Sequence, residues 1–506
     1  MPDINFVDAY KCLKNFVSLL ESNEPTYQLC IKHGDIIHKY PATFQKTDSG
    51  DFELSFETFE FYDSDSFYCF PTIISSELYN ISFSNLDIPS LDFTISNNSS
   101  IPFGYRVLTK SFTSGIEDNW KNAIFCAYCT YSHKDFNPDN CGILHFGRSK
   151  DSIRYFKIHI DGIDFTVFFG LKDDENRNDL KDERFLSFIT SQPIKDFSTF
   201  RRMVDVIRVA WGLISGYFIA DSIYYTSVRQ REDTNGPAFR YQNLQECINS
   251  KRPIIDSSLY NDLPSEVLCL TCDEFSSLVE ILYHNESYYR AAQLLIQASN
   301  DKDLSKGGLA AIALETITGA IINKGLMASV KEKYKIPANL IKAIKKSIQD
   351  FEEPISEELK IKLDRSIDNL SAIPNAEKLI IPFQALGITL SETEKVIIDC
   401  RNQFLHGVLP EKARKKVPFA ALLSDEDLIF YTSNKLILLC SLLLLRLAKI
   451  DKCVIDWGVS IIVVKHFMNK GKSVLQFGRK HRKTTDFAPE EDSPHWLELS
   501  SLVVFK

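Results

Sequence analysis

The hydrophobic period of the chain changes once, and that change constrains the fold more than any other feature. Up to about residue 190, Phe and Tyr are abundant and fall in short runs broken by Ser, Asn, Asp and Pro, the pattern of half-buried strands. The clearest case spans 155–169. Phe156, Ile158 and Ile160 alternate with Tyr155, Lys157 and His159, Asp161-Gly162 supplies a tight turn, and Phe165, Val167 and Phe169 return. The charged run 172–183 and Asn97-Asn98-Ser99-Ser100 read as exposed loops. Over 197–220 the period becomes helical, with Met203, Val204, Ile207, Ala210, Trp211 and Ile214 on one stripe and Asp196 or Ser198 as the N-cap. One further strand is expected over 223–228.

The stretch 251–264, with Pro253, Pro264 and several turn formers, marks the boundary. Beyond it nearly every segment has helical spacing: 273–284, 286–298, 308–323, 337–350, 356–371, 391–406, 425–449 and 459–469. The expected class is therefore α+β and multidomain. Residues 1–262 form a β-rich mixed domain, 263–485 an all-α helical bundle and 486–506 a tail with an apolar stretch at 496–505. At 506 residues the chain is too long for one ordinary core.

Charge narrows the function. The net charge is −9 and the pI about 5.7, which disfavours a protein that coats nucleic acid non-specifically. A local basic cleft remains compatible. Two short basic runs stand out, Lys412-Ala413-Arg414-Lys415-Lys416 and Arg479-Lys480-His481-Arg482-Lys483, each readable as a solvated face or as a phosphate contact. The twelve cysteines form no regular framework and the N-terminus is acidic and mixed, so no signal peptide and a reducing, cytoplasmic setting are expected. The apolar run Leu436–Leu445 is too short to span a bilayer and reads as a buried helix.

The residues that carry chemistry lie late in the second domain. Ser391-Glu392-Thr393-Glu394 is a capping box, and Val396, Ile397, Cys400, Phe404 and Leu405 follow as an apolar stripe before Gly407 and Pro410 end the helix. Arg401, Asn402 and His406 fall in its last turns. Arginine and histidine five apart are about 140° apart on a helix, whereas Asn402 and His406 share a face. Together they suit metal-independent RNA cleavage. The 2′-OH is an internal nucleophile, a histidine can accept or donate the proton that moves, and an arginine fork can hold the phosphate as charge builds. One histidine per chain serves poorly as both acid and base, which a second chain would remedy. The spacing alone is not enough, since Arg154 and His159 share it. They lie on a strand, where positions five apart face opposite ways. A histidine and arginine binding carbonyls at a helix C-terminus is the bland reading of Arg401 and His406.

Arg401-Asn402-x-x-x-His406, late in a helical domain of about 200 residues, resembles the motif of the HEPN superfamily. The architecture looks most like that of ApeA-type anti-phage proteins, which join a β-rich N-terminal domain to a C-terminal HEPN domain. The resemblance implies a metal-independent endoribonuclease with no cofactor, a homodimer with a composite site, and anti-phage defence by abortive infection. It further implies RNA, often tRNA, as substrate and a phage-derived trigger acting on the first domain, with no membrane partner. Glu315 fits the acidic position such domains often carry on an upstream helix, as a supporting residue that pairs with Arg401 or orders the cleft, or simply as an exposed carboxylate. Arg414, Lys415 and Lys416 are the candidate RNA contacts, while Asp399 and Tyr431 are weighed as surface and packing residues. The competing reading is a non-catalytic HEPN-like module that binds RNA, nucleotides or a protein.

Other constellations are weaker. Cys126-Ala127-Tyr128-Cys129 with Cys141 and His145, and His133 nearby, has the spacing of a zinc knuckle. Its apolar surroundings favour buried free thiols instead. Cys269-Leu270-Thr271-Cys272 has no further ligand close behind it and reads as core. Lys306-Gly307-Gly308 reads as a turn before a helix. Walker, dinucleotide-binding and His-Glu-x-x-His motifs are missing.

Overall fold

The computed structural model describes residues 27–33, 36–47, 49–58, 72–76, 81–87, 90–94, 103–109, 111–114, 120–132, 147–148, 154–171, 183–218, 222–228, 238–244, 248–249, 252–255, 269–323, 336–351, 355–368, 375–417, 420–421, 423–458 and 481–483. The helix expected over 459–469, the tail at 496–505, the loops at 97–100 and 172–182, and His133, Cys141 and His145 lie outside them. The chain forms two compact units. One is Met1–Pro253 with Cys269–Tyr283, the other Ile254–Leu268 with His284–Lys506.

The first unit is built on a sheet of 16 antiparallel strands. Strand Lys121–Ser132 pairs with Glu183–Thr190 on one side and Ser222–Val228 on the other. Ala123 to Cys129 are buried without a break, so this strand is covered on both faces and shows no polar alternation. Helix α1 (Phe197–Ser215) lies on the face that carries Phe125, whose ring stacks on Phe200 at 5.1 Å. Its N-cap is Asp196, which accepts from the Thr199 N–H at 2.8 Å. Its last residue is Ser215, five short of the expected end, and Gly216 closes it in the left-handed region at φ 74°. The hairpin Arg154–Ile160 with Ile163–Leu171 turns through Asp161 (φ 50°) and Gly162 (φ 79°), the two positive φ values of the tight turn that matches strand twist.

Helix α2 (Cys272–His284) corrects the domain assignment. Its helical spacing suggests membership of the second domain, but it packs in the first unit. Phe275 meets the rings of Phe156 at 5.8 Å and Trp211 at 6.4 Å. Ser276 Oγ accepts from the His159 N–H at 3.0 Å, and Glu280 Oε1 from the Asp161 N–H at 2.7 Å. Periodicity shows that an apolar stripe exists; it does not show which unit covers it.

The second unit holds α3 (Glu286–Asn300), α4 (Asp303–Ile321), α5 (Ala338–Gln349), α6 (Glu357–Asp368), α7 (Asn375–Ala385), α8 (Glu392–Asp399), α9 (Arg401–Leu405), α10 (Glu411–Lys416) and α11 (Asp425–Leu447). Helix α4 begins before Lys306-Gly307-Gly308, so those residues are helical and not a turn. Helix α7 contains Pro382 near its end and was not expected; the missing N–H and the ring are tolerated with Pro382 buried beside Leu379 and Phe383. A short strand pair, Cys453–Ile455 with His481–Lys483, departs from the all-α expectation. Helix α11 is the core. It is long and apolar enough to cross a bilayer as a whole, yet 94% of its most apolar window is buried inside the protein.

Candidate active site

The helix expected over 391–406 is present as two pieces, α8 and α9, meeting at Cys400 (φ −68°, ψ −13°). Ser391 Oγ accepts from the Glu394 N–H at 3.2 Å and Glu394 Oε2 accepts from the Ser391 N–H at 2.9 Å, a complete capping box. At the far end Gly407 takes φ 67°. Its N–H donates to the Phe404 carbonyl at 3.0 Å and the Val408 N–H to the Gln403 carbonyl at 2.8 Å. This paired closure is the Schellman arrangement, and it leaves His406 exposed at the helix exit. The buried stripe is Ile397, Ile398, Cys400 and Phe404. Leu405, expected to be buried, is 39% exposed; one residue on, it lies about 100° from the side chain of Phe404 and at the helix exit, at the edge of the buried stripe.

What seats α9 is glycine. A Cβ on Gly307 of α4 would overlap the ring of Phe404, so α4 and α9 come together at a distance that only a residue without a side chain permits. The same helix α4 brings up Glu315 two turns later. Glu315 Oε1 lies 3.0 Å from Arg401 Nε. The Arg401 side chain is 7% exposed and that of Glu315 45%. Among the described residues, no other side-chain hydrogen bond of Arg401 exists, so the ion pair occupies Nε and the two terminal nitrogens have no described side-chain partner. Asn402 and His406 are both exposed, and no described hydrogen bond joins either to Arg401.

The basic helix α10 stands beside this site. Lys412 donates through its backbone N–H to Gln403 Oε1 at 3.1 Å and through Nζ to Asp399 Oδ2 at 2.7 Å. Arg414, a candidate RNA contact, is already engaged by Glu411 at 3.0 Å and by Asp425. Lys415 and Lys416 are exposed. Asp399, weighed as a surface residue, is an ion-pair partner. Tyr431 is fully buried in α11 and packs. Burial pushes the Cys400 thiol, directly ahead of Arg401, up to about 12, so it stays a neutral packing group.

The two described members of the zinc constellation do not converge. Cys126 and Cys129 are three apart on one strand and so lie on opposite faces of the sheet. Both are buried, and burial pushes the Cys129 thiol up to about 12. Among the described residues no group of three or more metal-ligating side chains occurs. The other Arg-x4-His pair falls on a strand, where His159 Nδ1 is 2.8 Å from Asp164.

Two site residues were not singled out from sequence. Gln403 lay unremarked inside the motif, and Gly307 was misread as part of a turn. A glycine at helical spacing opposite an aromatic is a usable packing signal only once the two helices are known to meet. Comparison with protein-family models, curated proteins and solved structures returns no match for this chain.

Proposed function

We propose that the second unit is a metal-independent endoribonuclease of the HEPN type, cutting RNA through its own 2′-OH. The observation that carries the reading is the Arg401–Glu315 ion pair. It fixes a guanidinium through Nε on the same short helix that ends at the exposed His406, and leaves the two terminal nitrogens of the fork without a described side-chain partner. In the proposed reaction His406 takes the proton from the 2′-OH as that oxygen attacks phosphorus. The P–O5′ bond breaks, and a protonated imidazole, His406 of the partner subunit, protonates the departing 5′-oxygen. Arg401 stabilises the charge that gathers on the phosphoryl oxygens. The products are a 2′,3′-cyclic phosphate and a 5′-OH. Asn402, in line with His406, orients the ribose or phosphate. A homodimer is part of the proposal because each chain offers one such histidine. RNA, with tRNA as a candidate, is the substrate. Anti-phage abortive infection in the cytoplasm is the biological role, and a phage-derived trigger acts on the β-rich unit.

The burial of Arg401 favours a second reading, in which the ion pair is structural and the domain binds RNA, nucleotides or protein without cutting. Cleavage of total cellular RNA by wild type, Arg401→Ala and His406→Ala, with chelator present and folding checked by circular dichroism, separates the two. Loss of cleavage in both variants supports the nuclease; equal cleavage by all three, or cleavage that stops with chelator and returns with magnesium, sinks it. Mapping RNA ends after induction identifies the substrate.

A further inference from the structure

The α10 helix begins at Pro410, which offers no side-chain cap, yet the first amides of a helix need acceptors from outside it. Gln403, from the motif helix, meets that need: its Oε1 accepts the Lys412 N–H at 3.1 Å. Asp399, one turn earlier in the chain, takes the Lys412 ammonium at 2.7 Å. Asp399 and Gln403 are four apart and form one row. Asn402 and His406 are each three residues further on, so their row lies about 60° round the same cylinder, at roughly 100° per residue. The far end of α10 is tied down separately, through Arg414 to Asp425. With both ends held, the charged side chains of its last turn that stay exposed are Lys415 and Lys416.

We infer that Gln403 and Asp399 are positioning residues that lock α10 into a fixed arm beside the His406 row, so that Lys415 and Lys416 engage the phosphates of an extended RNA strand flanking the scissile one. The inference rests on the nuclease reading of Arg401 and His406. It assigns the preferred substrate class as a chain several nucleotides long; a dinucleotide is cut at the same site but binds without the arm. It also gives Arg414 the role of anchor for the arm.

The test compares a dinucleotide with an RNA of about twenty nucleotides. Gln403→Met removes the acceptor at similar volume; Gln403→Glu retains it. For Gln403→Met, KM on the longer RNA rises about tenfold, the worth of one lost hydrogen bond with its register. Its kcat is unchanged, and cleavage of the dinucleotide holds. Gln403→Glu restores KM. The double variant Lys415→Ala/Lys416→Ala gives the same KM rise, and adding Gln403→Met to it changes nothing more. The slope of log Kd for RNA against log salt falls by roughly one to two in both, measured by anisotropy on a His406→Ala background where no cleavage occurs. A kcat that drops equally on both substrates, or additive losses, overturns the arm. If wild type cuts neither substrate, the nuclease reading fails; the binding arm then stands or falls on the salt slopes alone, and equal slopes in wild type and variants overturn it.

Discussion

Gly307 of α4 and Phe404 of α9 touch so closely that the aromatic ring fills the space a Cβ on Gly307 would need. The contact sets how far the motif helix can approach α4, and through it where Arg401 meets Glu315. Gly307→Ala is expected to destabilise the protein by about 1–3 kcal/mol, the usual range for overpacking a full interior. It should also reduce RNA cleavage by more than the unfolded fraction accounts for. Urea melts and cleavage rates on the same preparation measure both; a variant as stable as wild type sinks the packing argument.

The Arg401–Glu315 pair yields a second prediction. Removing the fork by Arg401→Ala should lower cleavage by about 10²–10³-fold, the range seen for one transition-state donor. Arg401→Lys should recover little, because an ammonium cannot bridge Glu315 and a phosphate with the same fixed fork. Glu315 is 45% exposed but Arg401 only 7%, so Glu315→Ala leaves a buried guanidinium without its acceptor and should cost about 1–3 kcal/mol while slowing cleavage further through a misplaced guanidinium. Single-turnover rates paired with melts check this. Slowing that merely tracks stability would make Glu315 a surface carboxylate.

A third prediction concerns alkaline pH. Burial raises the Cys400 thiol from 9.0 to about 12. Between those values the unfolded chain loses the proton and the folded chain keeps it, so the stability Cys400 contributes is complete below pH 9 and declines as pH rises toward 12. The urea midpoint should fall between pH 8 and pH 10 more steeply in wild type than in Cys400→Ala. Thiol reagents should reach Cys400 only after unfolding. Rapid native-state labelling of Cys400 at pH 8 would contradict both.

Lys435 and Asp456 form a buried ion pair, 2.7 Å apart with side chains 1% and 6% exposed. Asp456→Ala leaves the ammonium buried without its counter-charge, and the expected cost is about 3–5 kcal/mol. The double change Lys435→Met/Asp456→Leu should recover most of that loss. Chemical denaturation of the two variants decides it; a double variant no better than the single would mean that the ions hold the backbone near Gly458 and do more than neutralise each other.

Much of the local structure was legible in the residues. Asp161-Gly162 marks its turn because consecutive positive φ values exclude most other pairs. Ser391 and Glu394 mark a helix start, and Gly407 a helix end, because orphan amides and carbonyls need those side chains and that φ. The relations that make a site out of these pieces were not legible. Arg401 and Glu315 are 86 residues apart; their pairing was one of the two readings open for Glu315, through the resemblance and not through either segment, and the contact of Gly307 with Phe404 that seats the two helices carries meaning only in three dimensions. Leu405 was placed in the stripe because it is apolar, although the helical step already sets it about 100° from Phe404, at the edge of the buried face. Helix α7 escaped notice since proline near a helix end resembles proline after one. Gln403 was overlooked for a related reason: a polar residue between two recognised ones draws no attention until its acceptor atom is seen to cap a second helix.

The assignment of α2 to the first unit and of residues 254–268 to the second bears on how this chain could ever be divided. The Ile455 N–H donates to the Ile254 carbonyl at 2.9 Å, so the segment ahead of α2 already belongs to the second unit while α2 itself belongs to the first. The polypeptide therefore changes unit at 253–254, 268–269 and 283–284. Any one cut between the halves strands a piece of one unit on the other. A protease, a gene-fusion event or a cloning junction placed at the proline-rich boundary would yield two damaged fragments.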